Sequence, residues 1–324
     1  MVSFKSIAVA AILSCAASVA HAQQVYGVAT NPQGSLYYPV GAAVAQVMQQ
    51  KAALTARVQP SSGSSVYTPL VDRGQVEFGL LNALDVVNAY NGVDNFKVKH
   101  PSLRLVGVMF ALPIGMAVPK DSPVKAIKDL KGLRVPSQFT AQSTIRSVQD
   151  ACLATGGLST NDLQGFPVPD YVKGMNALGD GKVDTALFGL GTGAAQEVNV
   201  ALASRGGLRF VPLPDTPEAT AAMRKIFSSS YTKVFEPSPG NVGIIAPTRI
   251  MVYSAFLIAS TNVPDEVVYK TTKALHENKD LLVSTAAVLR SFDPKAMAEK
   301  SEVPYHPGAE KFYKEVGDWP PKQR

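Results

Sequence analysis

Hydrophobic positions along this chain fall into two kinds of segment: short continuous apolar runs bounded by turn residues, and stretches with apolar residues three and four apart. Gln24–Ala29 reads as a strand, and Val40, Ala43, Val44, Val47 and Met48 recur at helical spacing after Pro39. Arg57–Gln59 is a short strand, followed by the serine-rich Ser61–Ser65 and a helix ending near Arg73-Gly74. Val76–Leu81 is the next strand, and Ala83–Tyr90 a short helix closed by Asn91-Gly92. Leu103–Val118 is long, apolar and extended, with Pro113 inside it. A second series then opens: helix Val124–Leu130, strand Leu133–Val135, and helix Ser143–Ala154 stopped by Gly156-Gly157. Phe166–Val168 is a strand, and Asp170 caps a helix that runs to Leu178. Val183–Phe188, Thr192–Ala203 and Leu208–Val211 continue as strand, helix and strand. Ile250–Ile258 is a second long apolar run, and Pro264–Leu282 a helix whose Asp265 and Glu266 suit its first turn.

Strands that alternate with helices, and that are apolar on both faces, predict α/β architecture with buried sheets. Two such series separated by a long crossing segment predict two lobes. The extended runs near 103–118 and 244–258 let the chain leave one lobe and return to it, which creates a cleft where ligands usually sit.

Composition narrows the class. Of 324 residues, 46% are hydrophobic and 17% charged, well below the roughly 25% charge of an average soluble domain. A disordered acidic chain and a heptad coiled coil are excluded. Two cysteines exclude a disulfide scaffold. The net charge of +6 comes from scattered Lys and Arg, with no basic stripe interleaved with aromatics, so no nucleic-acid partner is expected. The first 22 residues carry Lys5, the apolar run Ile7–Leu13 and a terminal Ala20-His21-Ala22, the pattern of an export signal cleaved after Ala22. Its apolar stretch is short of the ~20 residues a bilayer span needs. Leu13-Ser14-Cys15 is a looser lipoprotein-type alternative. Removing these 22 residues, Lys5 and Cys15 among them, leaves 302 with a net charge of +5 and Cys152 alone, which reads as a buried, inert thiol.

Motifs for bond chemistry are missing from the sequence. The three histidines beyond the leader, His100, His276 and His306, have no metal-ligand spacing, and neither a G-x-S-x-G elbow nor a phosphate loop occurs. Gly189-Leu190-Gly191-Thr192-Gly193 opens a helix after a strand, but Ala194 replaces the third glycine of a dinucleotide turn. No catalytic residue, metal or cofactor is expected. An exported enzyme on this fold would have to rely on Asp85 or Asp170, which read better as a helix first-turn acid and a cap. What the chain does supply is small polar residues just before helices: Ser35, Tyr37 and Tyr38; Ser62 and Ser64; Asn82; Gln138, Ser143 and Thr144; and Gly189. Helix N-termini expose unpaired N–H groups and partial positive charge, so several converging in one cleft make an anion site.

Gly34-Ser35-Leu36-Tyr37-Tyr38-Pro39-Val40-Gly41 resembles the G-G-x-Y-Y-P-x-G signature of TRAP-transporter solute receptors of the TAXI type. Ser62-Gly63-Ser64, Gly74–Gly79, Ala89–Gly92, Ile127–Val135 and the closing His306-Pro307-Gly308-Ala309 follow in the family's order. The resemblance implies a two-lobed type II periplasmic-binding-protein fold, each lobe a mixed sheet flanked by helices. It implies a monomer in the periplasm that closes on a small anionic solute, a carboxylate, and delivers it to the membrane permease subunits of a TRAP transporter. The expected division is a signal peptide (1–22), a first lobe (23–115), a second lobe (116–243), and a return segment (244–324) packing mainly on the first lobe. The family's double glycine is replaced here by Asn31-Pro32-Gln33-Gly34, and Phe139 adds apolar surface near the expected pocket, leaving room for a larger, partly apolar acid. Arg146 and Arg249 are the candidate partners for a carboxylate. A ligand sensor for a membrane signalling protein is the alternative that keeps the fold.

Overall fold

The computed structural model describes residues 24–94 and 96–322. The expected export signal and its cleavage after Ala22, together with Cys15, lie outside the described residues. The chain runs β1 (Tyr26–Thr30), α1 (Tyr37–Lys51), β2 (Ala56–Pro60), α2 (Ser64–Asp72), β3 (Phe78–Asn82) and α3 (Ala83–Asn91) into the long β4 (Leu103–Pro119). It continues through β5 (Arg134–Gln138), α4 (Thr144–Ala154), β6 (Gln164–Val168), α5 (Tyr171–Gly179), β7 (Ala186–Gly189), α6 (Gly193–Ala201) and β8 (Leu208–Phe210). Then come α7 (Pro217–Ile226), β9 (Tyr231–Phe235), the second long strand β10 (Thr248–Ser260), α8 (Asp265–Glu277), α9 (Lys279–Thr285) and α10 (Pro307–Val316).

The α/β expectation holds, with the two lobes joined through a common sheet. Its strand order is β2-β1-β3-β10-β4-β7, with β8 added on β4 and β9 on β10. β1 pairs parallel with β2 and β3, and every residue of β1 and β3 is buried, as parallel strands covered on both faces require. β10 lies antiparallel to both β3 and β4. At the other end of the long pair, β7 and β8 extend β4, and β9 extends β10. β5 and β6 form a parallel pair held to the chain just before β7, because Asp184 and Thr185 donate their amides to the Arg134 carbonyl at 3.0 and 3.3 Å. Register shifts in the β4–β10 ladder fall between Ala255 and Phe256 and between Leu257 and Ile258. Such irregularities bend and twist a ladder locally.

Pro113 sits within β4, opposite Val252, and its carbonyl accepts the Leu190 amide at 2.9 Å, so the strand continues through it. Several expected elements change. Val124–Leu130 is only a 3₁₀ turn at Ile127–Leu130, because the Asp129 carboxylate accepts from the Lys125 and Ala126 amides at 3.0 and 2.9 Å and fixes a tight turn. Pro264–Leu282 breaks at Asn278, whose side chain donates back to the Ala274 carbonyl at 2.8 Å. α7 and β9 are additions to the expected elements, although Ala219, Ala222, Met223 and Ile226 of α7 do recur at helical spacing behind the Thr216 cap. Cys152 is fully buried in α4, and burial pushes its thiol up to about 12.

The closing His306-Pro307-Gly308-Ala309 proves to be a packing device. His306 caps α10, its Nδ1 accepting the Gly308 amide at 3.2 Å while Nε2 lies 3.1 Å from the Val263 carbonyl. That geometry fits a neutral ring protonated at Nε2, and burial holds its pKa below the ordinary value. Pro307 occupies the first helical position, where no N–H is needed. Gly308 lets α10 press on α8: a Cβ there would lie 2.2 Å from the Asp265 carbonyl oxygen. Gly308→Ala is therefore expected to cost about 1–3 kcal/mol, read as a lowered midpoint in urea unfolding. An unchanged midpoint would show that α8 and α10 are not held at this distance.

Candidate functional site

The first turns of α1 and α3 face those of α4, α5 and α6 across the gap between the lobes, with β4 and β10 as the floor. Each helix start has a local cause. Asn82 caps α3 by accepting the Asp85 amide at 2.7 Å, Asp170 caps α5 by accepting from Lys173 at 2.8 Å, and Thr192 caps α6 by accepting from Ala195 at 3.1 Å. The lobes touch. Ala194 donates its amide to the Gly34 carbonyl at 3.2 Å, the Ser65 and Ser143 hydroxyls are 3.2 Å apart, and Ser147 donates to Asp94 at 3.1 Å. Thr144 at the start of α4 donates its hydroxyl to Asp85 on α3. These contacts hold the two lobes against each other.

Closure encloses a small cavity. Its walls are Asn31, Ser35, Leu36, Tyr37 and Asn82 on one side and Gln142, Ile145, Tyr171, Gly189 and Thr192 on the other. Leu112, Ile114 and Tyr253 of the crossing strands form the floor. The centres of water molecules can occupy about 20 Å³ of it, room for about one water at the ~10–15 Å³ each requires. A larger groove, about 360 Å³, lies behind Phe227, whose ring packs 4.9 Å from that of Tyr253. It opens to solvent and has the carboxylate of Glu299, already bonded by Ser254 at 2.7 Å, in its wall. The enclosed cavity, where helix starts and aromatic hydroxyls converge, is the better candidate.

Most polar groups around the cavity are already engaged. Ser35 donates to the Pro32 carbonyl at 2.8 Å, Thr192 to the Gly189 carbonyl at 3.0 Å, and Asn82 uses both ends of its amide on Asp85. The Gln142 side-chain oxygen accepts the Tyr171 amide at 2.9 Å. Tyr171 accepts the Gly189 amide through its hydroxyl oxygen, leaving its proton to donate. Two buried side-chain atoms of the wall have no partner among the described residues, the Asn31 Oδ1 and the Tyr37 hydroxyl. Tyr37, Tyr171 and Tyr253 are all held well above the usual phenol range by burial, so each faces the cavity as a neutral hydroxyl.

Asp85 is the charged exception beside this cavity. It is 1% exposed, and burial pushes its carboxyl up to about 6 against hydrogen bonds from Thr144, Ser64 and Asn82 that pull it down.

The expected site residues therefore separate. Ser35, Tyr37, Asn82 and Gly189 line the cavity; Ser64 and Thr144 bond Asp85; Ser143 meets Ser65 across the lobes. Tyr38 is half-buried outside the cavity wall, and Ser62 is exposed. Gln138 and Arg146 border a separate open depression with Thr160 and Asn161, and Arg146 bonds Asn161 at 3.1 Å. Arg249 pairs with Asp215 and with Thr232. Neither arginine reaches the cavity, and no Lys or Arg is part of its wall, so a guanidinium clamp is not what this site offers. Phe139 is also displaced: with Gln138 and Phe139 both at positive φ (68° and 48°), its ring turns into the core against Gly174. The wall also contains residues not singled out as ligand-binding: the polar Asn31, Gln142, Tyr171, Thr192 and Tyr253, and the apolar Leu36, Leu112, Ile114 and Ile145. The available signals were a tyrosine directly after the Asp170 cap and a lone tyrosine inside the apolar run of β10.

A sheet shared by two lobes, with a cavity between helix starts, is the two-lobed α/β fold that periplasmic binding proteins also have. The chain belongs to the NMT1-like family, whose profile matches residues 28–317. In fold it is similar to a binding-protein component of an ABC phosphonate transporter from Pseudomonas aeruginosa, with a TM-score of 0.54 and 10% identity over 83% of this chain and 80% of that one. It is also similar to PhnD1 from Prochlorococcus marinus in complex with methylphosphonate, with a TM-score of 0.53 and 12% identity over 91% and 98%. The alkanesulfonate-binding protein SsuA from Xanthomonas axonopodis pv. citri, bound to MOPS, gives a TM-score of 0.50 and 14% identity over 92% and 84%.

Gly63 sets how closely the lobes meet. Its backbone is extended, with φ at 168°, a conformation any residue adopts, yet a Cβ would fall 2.1 Å from the Ala141 carbonyl oxygen of the opposite lobe. Gly63→Ala is expected to leave each lobe folded and to shift the protein toward the open form. The obstruction of about 1–3 kcal/mol corresponds to about a 5- to 150-fold loss in closure. Small-angle scattering should register an expanded radius of gyration, and an unaltered profile would count against this contact as the closure stop.

Proposed function

We propose that the protein is an exported solute receptor that closes its lobes over a small organic acid and hands it to a membrane permease. The observation that carries this reading is the pair of buried, unpartnered atoms, Asn31 Oδ1 and the Tyr37 hydroxyl, in the wall of a cavity between two lobes. A buried polar group without a partner costs about 1–3 kcal/mol, a cost a solute relieves when it supplies the partner. The acid group would be met by the Tyr37 and Tyr171 hydroxyls and by the N–H groups at the starts of α1, α3, α4, α5 and α6, in place of an arginine. Leu112, Ile114 and Ile145 would take the apolar part. Membership of the NMT1-like family and the likeness to transporter binding proteins support receptor over enzyme. Among the described residues no helix is long and apolar enough to cross a membrane.

The Tyr37-Tyr38-Pro39 and His306-Pro307-Gly308-Ala309 segments favour a TRAP-type permease, in which an ion gradient drives uptake. The ABC-transporter neighbours resemble this chain at the level of fold. Uptake in proteoliposomes holding the cognate permease should follow an imposed ion gradient without ATP. Strict dependence on ATP would assign the receptor to the other transport class.

A thermal-shift panel of carboxylates, sulfonates, phosphonates, amino acids and sugars tests the ligand class. A solute at 100 times its Kd adds about 2.7 kcal/mol, a rise of roughly 5 °C for a chain of this size. Stabilisation by acids is expected, and stabilisation by sugars alone would sink the proposal. Tyr37→Phe should leave the solute-free melting temperature unchanged or slightly raised, because it removes an unpaired hydroxyl. It should weaken binding of any acid that passes the panel about five- to tenfold, in line with the ~1–1.5 kcal/mol of one hydrogen bond.

A further inference from the structure

Closing the lobes does something to Asp85 that holding a solute by hydroxyls and helix starts does not demand. Its Oδ2 accepts from Asn82 Nδ2 of its own lobe at 2.7 Å, and its Oδ1 accepts from Thr144 of the opposite lobe. A carboxylate taken out of water normally sits beside a cation. The titratable groups facing this one are Tyr37 of α1, Tyr67 of α2, Tyr253 of β10 and Asp94 of the turn after α3. From α4 it meets the Thr144 hydroxyl, while Arg146 and Asp150 of that helix pair with each other, 3.8 Å apart, near the surface. None of these neighbours supplies a compensating positive charge. Asn82 and Tyr37, its neighbours, are both in the cavity wall, so a solute anion would sit within reach of the same field.

We propose that Asp85 is a proton-binding site built into the lobe interface, so that the receptor closes over its solute together with a proton. This deepens the receptor reading and rests on its lobe closure. Opening parts Thr144 from Asp85 and readmits water, which returns the carboxyl toward its ordinary value of 3.8. The closed form, with the carboxyl at about 6, binds the proton more tightly. The ratio of closed to open molecules therefore rises as pH falls through about 6 and levels off near 4. Between pH 8 and pH 5 the rise is about tenfold. The hydroxyls of Thr144 and Ser64 accept as readily as they donate, so the protonated carboxyl keeps its partners.

Spin labels on Val66→Cys of α2 and Val200→Cys of α6, which are 45% and 73% exposed, report the interlobe distance in solute-free protein, while Cys152 is buried and stays unlabelled. Two distance populations are expected, their ratio shifting about tenfold from pH 8 to pH 5, and the added Asp85→Asn change should flatten that profile. One distance at every pH defeats lobe closure and this proposal with it. Two populations in a pH-independent ratio, or an unaltered shift in Asp85→Asn, overturn the proton site and leave closure standing. Should Asp85→Asn fail to fold, Ser65→Cys with Ser143→Cys offers a lock, since their hydroxyls lie 3.2 Å apart. Carboxyl carbon NMR should then find an aspartate titrating near pH 6 in the oxidised, closed form and near 4 after reduction. Identical titrations in the two forms overturn the proposal.

Discussion

The antiparallel pairing of β4 with β10 is the constraint on which the two-lobed arrangement depends. β4 spans 17 residues and β10 spans 13, so each is long enough to carry other strands at both of its ends. β3 with β1 and β2 is built on one end, and β7, β8 and β9 on the other. The middle of the ladder belongs to both lobes, and it supplies Leu112, Ile114 and Tyr253 as the cavity floor. The floor is thus set by backbone hydrogen bonds that opening need not break, while the walls ride on helix starts that can separate. Breaks in register at Ala255/Phe256 and Leu257/Ile258 place irregular pairing in the same ladder, where bending costs less than in a regular one.

Charge is used sparingly around the site, and that restraint has a physical reason. A guanidinium in so small a cavity would need a permanent partner or stay exposed to repeated desolvation each time the lobes closed. Neutral hydroxyls, amides and helix starts carry a smaller desolvation penalty and still offer directed donors. Arg146 and Arg249 are correspondingly committed elsewhere, to Asp150 and Asn161 and to Asp215. Asp85 departs from this pattern, and its raised carboxyl value is the measure of how far.

The fold was largely legible because it follows from local rules. The two long apolar runs became β4 and β10 within two residues at each end, and the Asp170 cap and the glycine stop at Gly92 stand where turn chemistry puts them. The site was legible only in part. Helix starts pointed to Ser35, Tyr37, Asn82, Thr144 and Gly189, since the signal there is a local backbone need. Whether a side chain then faces a ligand or its own backbone is decided by packing across more than a hundred residues. Ser35 and Asn82 spend their hydrogen bonds locally, whereas Tyr171 and Tyr253 reach the cavity from segments that look like ordinary helix and core strand. Arg146 and Arg249 lie outside the cavity wall for the same reason: type and position near a helix start say nothing about direction.

Unpaired Asn31 and Tyr37 between touching lobes also bear on the energetics of the proposed receptor without solute. In an open form both groups meet water, so closing without a solute loses about 1–3 kcal/mol for each and adds the burial of Asp85. Against this stand a few direct contacts between lobes, such as Ala194 with Gly34, Ser65 with Ser143 and Thr144 with Asp85. Terms of similar size and opposite sign would leave an open and a closed form close in free energy, the condition under which a weak, specific ligand moves the population. The cavity between the touching lobes holds about one water, so the proposed organic acid would have to stop closure short of this conformation or displace wall side chains. Affinity in the proposed receptor would then be set less by the number of contacts to the solute than by how near to full closure the solute allows the lobes to come.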